Sequence, residues 1–155
     1  MAEIKKAAVI GAGVMGAGIA AHITNAGVPC VLLDIVPKSG DNRNAIAEGA
    51  VAKLLKTDPA PFMSKRNAQL FTTGNIEDNL DMLADCDWII EAVIERLDIK
   101  QDLYKKVQKH RKAGSVVSSN TSTIPLKELE AGMPPEMVPD FMITHFFNPP
   151  RYMRL

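Results

Sequence analysis

Gly11-Ala12-Gly13-Val14-Met15-Gly16 is a GxGxxG pattern, which cradles a pyrophosphate when it stands between a strand and a helix. Each glycine has a separate job. Gly11 permits a tight turn, Gly13 lets backbone approach the phosphates without a Cβ in the way, and Gly16 lets the helix pack closely on the strand. The helix N-terminus adds unpaired N–H groups and the positive end of a dipole. Asp34 ends the next apolar run, where a carboxylate accepts hydrogen bonds from adenosine ribose hydroxyls and repels a phosphate on that ribose. The next residues, Ile35, Val36 and Pro37, include no arginine. The pattern therefore favours NAD over NADP, with Lys38 the one nearby cation. The bland readings are a chain-reversing turn and a carboxylate that caps a loop; the flanking strand and helix weigh against the first.

His145 ends the last apolar run and opens His145-Phe146-Phe147-Asn148-Pro149-Pro150. Oxidising an alcohol by hydride transfer requires loss of the hydroxyl proton, and an imidazole titrating near neutral pH takes it and returns it in the reverse reaction. A histidine in an apolar strand more often packs than catalyses, so this segment alone leaves both roles open. His22, inside the first helix, and His110, near the end of a charged one, read as packing or surface residues. No two histidines have metal-ligand spacing, so no metal is expected, and no serine sits in a nucleophile elbow.

Two more polar stretches follow apolar runs. The first is Glu91-Ala92-Val93-Ile94-Glu95, with Lys100 one turn into the next helix; Glu95 and Lys100 read equally well as a solvated surface pair. The second is Ser118-Ser119-Asn120-Thr121-Ser122-Thr123. Its hydroxyls and amide either cap the next segment or hold a substrate oxygen, and spacing does not choose between these.

The elements that must carry these groups alternate between short apolar runs and helical stretches, which implies an α/β fold with a doubly wound, mostly parallel sheet. Strands are expected at Lys6–Ile10, Val31–Asp34, Leu70–Gly74, Trp88–Val93, Ser115–Ser119 and Phe141–His145. Helices are expected at Val14–Asn25, closed by Gly27, then in the long polar stretch Ser39–Lys56 and Phe62–Gln69, at Asn79–Asp85, Leu97–Arg111 and Leu126–Ala131. In open sheets of this kind ligands sit outside the carboxyl ends of the strands, so the glycine turn, both polar loops and His145 should share one edge.

A chain of 155 residues fits one domain. With 46% hydrophobic and 23% charged residues it resembles a soluble globular protein rather than a disordered or membrane-spanning one. The 18 basic and 18 acidic side chains cancel, so nucleic acid is not expected as a main partner. No apolar run approaches a membrane span, so membrane insertion is not expected. Cys30 and Cys86 read as small buried hydrophobes of a reducing compartment. The start, Met1-Ala2-Glu3-Ile4-Lys5-Lys6, lacks an apolar signal core or an Arg- and Ser-rich transit segment, and a cytoplasmic location is expected.

Taken together, the motifs resemble the Rossmann-type NAD-binding N-terminal domain of the 3-hydroxyacyl-CoA dehydrogenase family of fatty-acid oxidation. The resemblance covers nearly the whole chain, through Gly11-Ala12-Gly13-Val14-Met15-Gly16-Ala17-Gly18-Ile19-Ala20, Asp34-Ile35, Glu91-Ala92-Val93-Ile94-Glu95, Ser119-Asn120-Thr121-Ser122 and His145-Phe146-Phe147-Asn148-Pro149. The last two are the specific ones. The resemblance implies that Gly11, Gly13, Met15, Gly16 and Asp34 cradle the pyrophosphate and adenosine of NAD. It implies that Val93, Ile94, Glu95 and Lys100 line the rest of the cofactor groove, that Ser122 and Asn148 contact the nicotinamide or the substrate oxygens, and that His145 is the general base. The implied reaction takes L-3-hydroxyacyl-CoA and NAD to 3-ketoacyl-CoA and NADH.

In the family a glutamate downstream orients the histidine. Here it would lie in the continuation of Tyr152-Met153-Arg154-Leu155, past the last residue. The chain is accordingly expected to be an NAD-binding domain cut just before its end, without the helical C-terminal domain that closes the acyl-CoA cleft and makes a homo-oligomer. Turnover by the fragment should then be negligible. The parent would be a longer dehydrogenase, a bacterial multidomain fatty-oxidation protein being one form of it. Ala131–Asp140 is a somewhat long loop, taken as a surface insertion without chemical meaning. Two other functions compete. One is a 3-hydroxyisobutyrate-like or sugar-nucleotide dehydrogenase on the same cofactor domain, though those generally use a lysine base. The other is a non-catalytic nucleotide-binding protein similar to some lens crystallins.

Overall fold

Ala7, Ala8, Val9 and Ile10 are all inaccessible to solvent. A strand buried on both faces belongs at the centre of a parallel sheet with helices on either side. In the computed structural model, which describes residues 3–153 and 155, this strand is β1 (Ala7–Ile10). Met1, Ala2 and Arg154, named above in the terminal segments, lie outside the described residues. The chain continues through α1 (Val14–Asn25), β2 (Cys30–Asp34), α2 (Ala45–Leu54), β3 (Phe71–Asn75) and β4 (Trp88–Glu91). It ends with α3 (Leu97–His110), β5 (Val116–Ser119), α4 (Leu126–Ala131) and β6 (Phe141–Ile143).

The six strands lie in the order β3-β2-β1-β4-β5-β6, and every pairing is parallel. Successive connections run outward from β1 to one side and then from β4 to the other. Between β1 and β4 they diverge and leave a crevice at the carboxyl ends. Alternate residues feed two cores. Ala8, Ile10, Val31, Leu33 and Ile89 face Leu103, Tyr104 and Val107 of α3, while Ala7, Val9, Leu32 and Ile90 face Ile19, Ala20 and Ile23 of α1. This is the doubly wound α/β arrangement expected from the sequence.

The close fit of α1 to the sheet depends on missing side chains. A Cβ on Gly16 would overlap the Gly11 carbonyl oxygen and press on Ala92. Gly11 itself has φ +107, and a Cβ there would strike the Ala92 carbonyl. β1, the turn, α1 and the end of β4 therefore meet at backbone contact distance, as the spacing of these glycines predicts.

Several element boundaries differ from the sequence expectation, each for a local reason. The Ser39–Lys56 helix shrinks to α2, because Gly40 has φ +98 and Asn42 Oδ1 accepts the Asn44 N–H at 2.9 Å, a side-chain turn that competes with helix. Phe62–Gln69 holds only a 3-10 segment at Lys65–Leu70, capped by the Ser64 hydroxyl, which accepts the Arg66 N–H. Asn79–Asp85 is likewise 3-10, over Leu80–Asp85. β3 starts one residue late, at Phe71. β5 starts at Val116 and β6 stops at Ile143, short of Ser115 and His145. β4 stops at Glu91 rather than Val93 because the Glu91 carboxylate accepts the Val93 N–H at 2.8 Å and draws the chain out of the ladder.

Ala131–Asp140 is not a mere surface insertion. Met133 and Met137 are buried in the α3-side core with Leu129 and Phe141. Arg111 at the end of α3 holds the segment through the Glu136 carbonyl at 3.1 Å and Asp140 at 2.9 Å. It is the lid of that core.

Because the Gly16–Gly11 approach leaves no room for a methyl group, Gly16→Ala should lower the unfolding free energy by about 1–3 kcal/mol in urea denaturation, the usual size of overpacking.

Candidate active site

Gly13 is the N-cap of α1, in extended conformation, and no side chain caps the helix. A Cβ built on Gly13 would meet nothing within 4 Å, so a pyrophosphate could approach this helix end on the Gly13 side. Asp34, at the end of β2, is anchored beside this turn: its Oδ2 accepts the Ala12 N–H at 2.5 Å and its Oδ1 accepts the Ile35 N–H at 2.6 Å. One backbone bond to each oxygen fixes the carboxylate plane and leaves lone pairs free for a pair of hydroxyls. A cavity of about 510 Å³ adjoins the turn, lined by Ala12, Gly13 and Val14 of the turn, by Lys53 of α2, and by Asn148 and Arg151. Donors on an uncapped helix end, a clear approach at Gly13 and an oriented acceptor fit a dinucleotide.

On the far side of β1 the site has a buried polar foundation. Glu91 is 1% exposed and pairs with Ser119 in the register of β4 and β5. Its carboxylate accepts Lys100 Nζ at 2.6 Å, Ser119 Oγ at 2.6 Å, Tyr104 Oη at 2.8 Å and the Val93 N–H. Lys100 and Tyr104 are i,i+4 on α3 and so present one face to the sheet. Lys100, itself 1% exposed, also reaches Glu95 Oε2 at 3.2 Å. The solvated-pair reading of Glu95 and Lys100 is thereby corrected, because the ammonium is enclosed between two carboxylates. Burial first, and then the Glu91 charge, push the Tyr104 phenol well above its ordinary range.

Glu95 in turn gathers the loop after β5. Its Oε1 accepts the Thr121 hydroxyl, the Ser122 N–H at 3.1 Å and both the N–H and hydroxyl of Thr123. Partial burial raises the Glu95 pKa, but the Thr121 and Thr123 bonds and the Lys100 charge outweigh it and hold the carboxyl at about 2. Ser122 is exposed, with its N–H engaged. Val93 packs on the α3-side core, whereas Ile94 is 63% exposed.

The same loop places His145. The Thr144 N–H bonds to the Ser119 carbonyl at 3.0 Å and its hydroxyl to Ser118 Oγ at 2.8 Å. The Phe146 N–H bonds to Asn120 Oδ1 at 2.8 Å. His145, held between those two anchors, is exposed and stacks on Phe147 with ring centroids 4.8 Å apart. Of the residues singled out from sequence, Gly11, Gly13, Met15, Gly16 and Asp34 gather at the ends of β1 and β2. Glu95, Ser122 and His145 follow the ends of β4, β5 and β6 on the same edge. Asn148 lines the same cavity as Gly13. Lys100 is buried and reaches the loop after β5 through Glu95. Sequence reasoning missed Tyr104 and the role of Glu91. The signal was present: a carboxylate closing the apolar run Trp88-Ile89-Ile90 needs buried donors, and an adjacent helix offers Lys100 and Tyr104 one turn apart.

An all-parallel sheet in this order, with a glycine turn at its switch point and an acidic residue ending β2, defines a dinucleotide-binding domain of the Rossmann class. Residues 6–155 match the family model described as 3-hydroxyacyl-CoA dehydrogenase, NAD binding domain, and the chain belongs to that family. It is 50% identical over 153 residues to a probable 3-hydroxyacyl-CoA dehydrogenase of Deinococcus radiodurans, covering 99% of this chain and 44% of the relative. A protein of the same description from Bacillus subtilis is 46% identical over 167 residues, 99% of this chain and 21% of the relative. Among solved structures, 3-hydroxybutyryl-CoA dehydrogenase from Escherichia coli K12 superposes with TM-score 0.75 at 28% identity, over 98% of this chain and 31% of that one. The chain thus spans less than half the length of these relatives. Among the described residues no helix is long and apolar enough to cross a membrane.

The folded state lowers the Glu95 pKa from 4.5 to about 2, so its contribution to stability is complete above pH 4.5 and is lost as pH falls through about 2. Glu95→Gln should flatten the decline of melting temperature across that window relative to the wild type, as read by thermal denaturation at stepped pH.

Proposed function

We propose that this chain is the NAD-binding half of a longer L-3-hydroxyacyl-CoA dehydrogenase, serving fatty-acid β-oxidation, with a helical substrate domain beyond Leu155. The observation that carries this reading is the Phe146–Asn120 hydrogen bond. It ties the His145 segment to the loop bearing Ser122, on the sheet edge where the glycine turn and Asp34 stand.

Gly11, Gly13, Met15 and Gly16 would hold the pyrophosphate, and Asp34 would take the adenosine ribose. Val93, Ile94 and Glu95 would border the nicotinamide half, with Lys100 acting through Glu95. NAD, when bound, supplies the hydride acceptor. His145 takes the proton of the substrate 3-hydroxyl and returns it to the 3-keto oxygen in the reverse direction. Its solvent-facing position lets an acyl-CoA approach. Ser122 and Asn148 present neutral hydrogen-bonding groups to the nicotinamide amide and the substrate oxygens. The family resemblance and the relatives' descriptions support acyl-CoA as the substrate class, and a downstream glutamate would complete the histidine's orientation.

NADH titrated into this chain should bind, and Asp34→Ala should weaken binding by about tenfold, the size of a lost charge-assisted hydrogen bond. The full-length dehydrogenase mixed with acetoacetyl-CoA and NADH should consume NADH, and His145→Ala should slow that by about 10²–10⁴-fold. Absence of NADH decay at every enzyme concentration would overturn the reading.

A further inference from the structure

The carboxylate of Glu91 touches neither the glycine turn nor the exposed side chains of the site, yet four donors converge on it. Val93 N–H belongs to the loop after β4, Lys100 and Tyr104 to α3, and Ser119 to the end of β5. Two of these extend further outward. Ser119 Oγ donates to Glu91 and accepts the Thr121 N–H at 3.2 Å. Lys100 carries the network to Glu95, whose other oxygen binds Thr121, Ser122 and Thr123. The Asn120 N–H closes the arrangement on the Glu91 backbone carbonyl at 2.8 Å. The loops after β4 and β5 are therefore both tied to Glu91, through its carboxylate and its backbone carbonyl.

A buried ion pair adds little net stability over apolar residues of the same volume, while its geometry is exacting. In a fold assembled from two mononucleotide-binding halves, β1–β3 takes the adenosine side and β4–β6 the nicotinamide side. We infer that Glu91 is a positioning residue that joins the loops after β4 and β5 into one rigid wall on the nicotinamide side, setting where Glu95 and Ser122 stand. The inference rests on the NAD reading above. An amide in place of the carboxylate would turn an N–H toward one of the four donors and leave the Lys100 charge facing Glu95 alone. The wall would then relax while the glycine turn and Asp34, on the other half, keep their bonds.

The test compares NADH with ADP-ribose, which lacks the nicotinamide ring, by calorimetric titration of the wild-type chain, Glu91→Gln and Ser119→Ala. The wild type binds both ligands if the NAD reading holds; failure to bind either overturns that reading and leaves the variants unnecessary. Given wild-type binding, Glu91→Gln should lose about ten- to a hundredfold in NADH affinity, as substitutions behind a binding shell do, with ADP-ribose affinity unchanged. Ser119→Ala, which removes one donor to Glu91 together with the acceptor of the Thr121 N–H and serves as the deciding variant if Glu91→Gln does not fold, should show a smaller loss confined to NADH. An equal loss for both ligands marks general destabilisation and overturns the positioning role, as does an unchanged NADH affinity in the folded variants.

Discussion

A carboxylate shut away from water must receive from the protein every hydrogen bond it gives up, and Glu91 receives four from three separate elements. That requirement shapes half of the domain. It ends β4, turns Lys100 and Tyr104 of α3 toward the sheet, and aligns the close of β5. Through Lys100 it reaches Glu95, and Glu95 collects the loop that carries Ser122. Losing one member of such a pair costs about 3–5 kcal/mol because a charge is left buried and unpaired. The arrangement therefore holds together as a unit.

The other half obeys a steric constraint instead. Gly11 and Gly16 let β1, α1 and the backbone after β4 approach within contact distance, and Gly13 leaves the uncapped end of α1 open. Asp34 fastens to the turn through the Ala12 N–H. The two halves meet at the β1–β4 pairing, where Ile10 lies beside Glu91 and the Ala92 N–H bonds to the Ile10 carbonyl. Steric fit on one side and ionic fit on the other bring the uncapped end of α1, the Asp34 carboxylate and the His145 segment to one edge.

Both cysteines are buried, and burial before any other influence raises their pKa values, Cys86 to about 11. Such thiols stay protonated and unreactive, in keeping with the sequence reading of them as small hydrophobes. The α3-side core closes over with Met133 and Met137. Two methionines in a proline-rich stretch carry no periodic signal, because the contacts they make are with residues distant in the chain.

Hydrophobic alternation, the glycine spacing and Asp34 were enough to determine the doubly wound class, the tight glycine turn and the choice of NAD, because these depend on local backbone geometry and on neighbours a few residues apart. The Ser-Asn-Thr-Ser and His-Phe-Phe-Asn-Pro segments were equally legible as motifs. Whether Lys100 faced water or the interior was not, nor was the part played by Glu91 and Tyr104, nor the burial of the 131–140 segment. Those depend on which strands become neighbours. Only when β4 lies between β1 and β5, with α3 folded across it, do Glu91, Lys100, Tyr104 and Ser119 become partners, and the cost of burying a charge then dictates how they must meet.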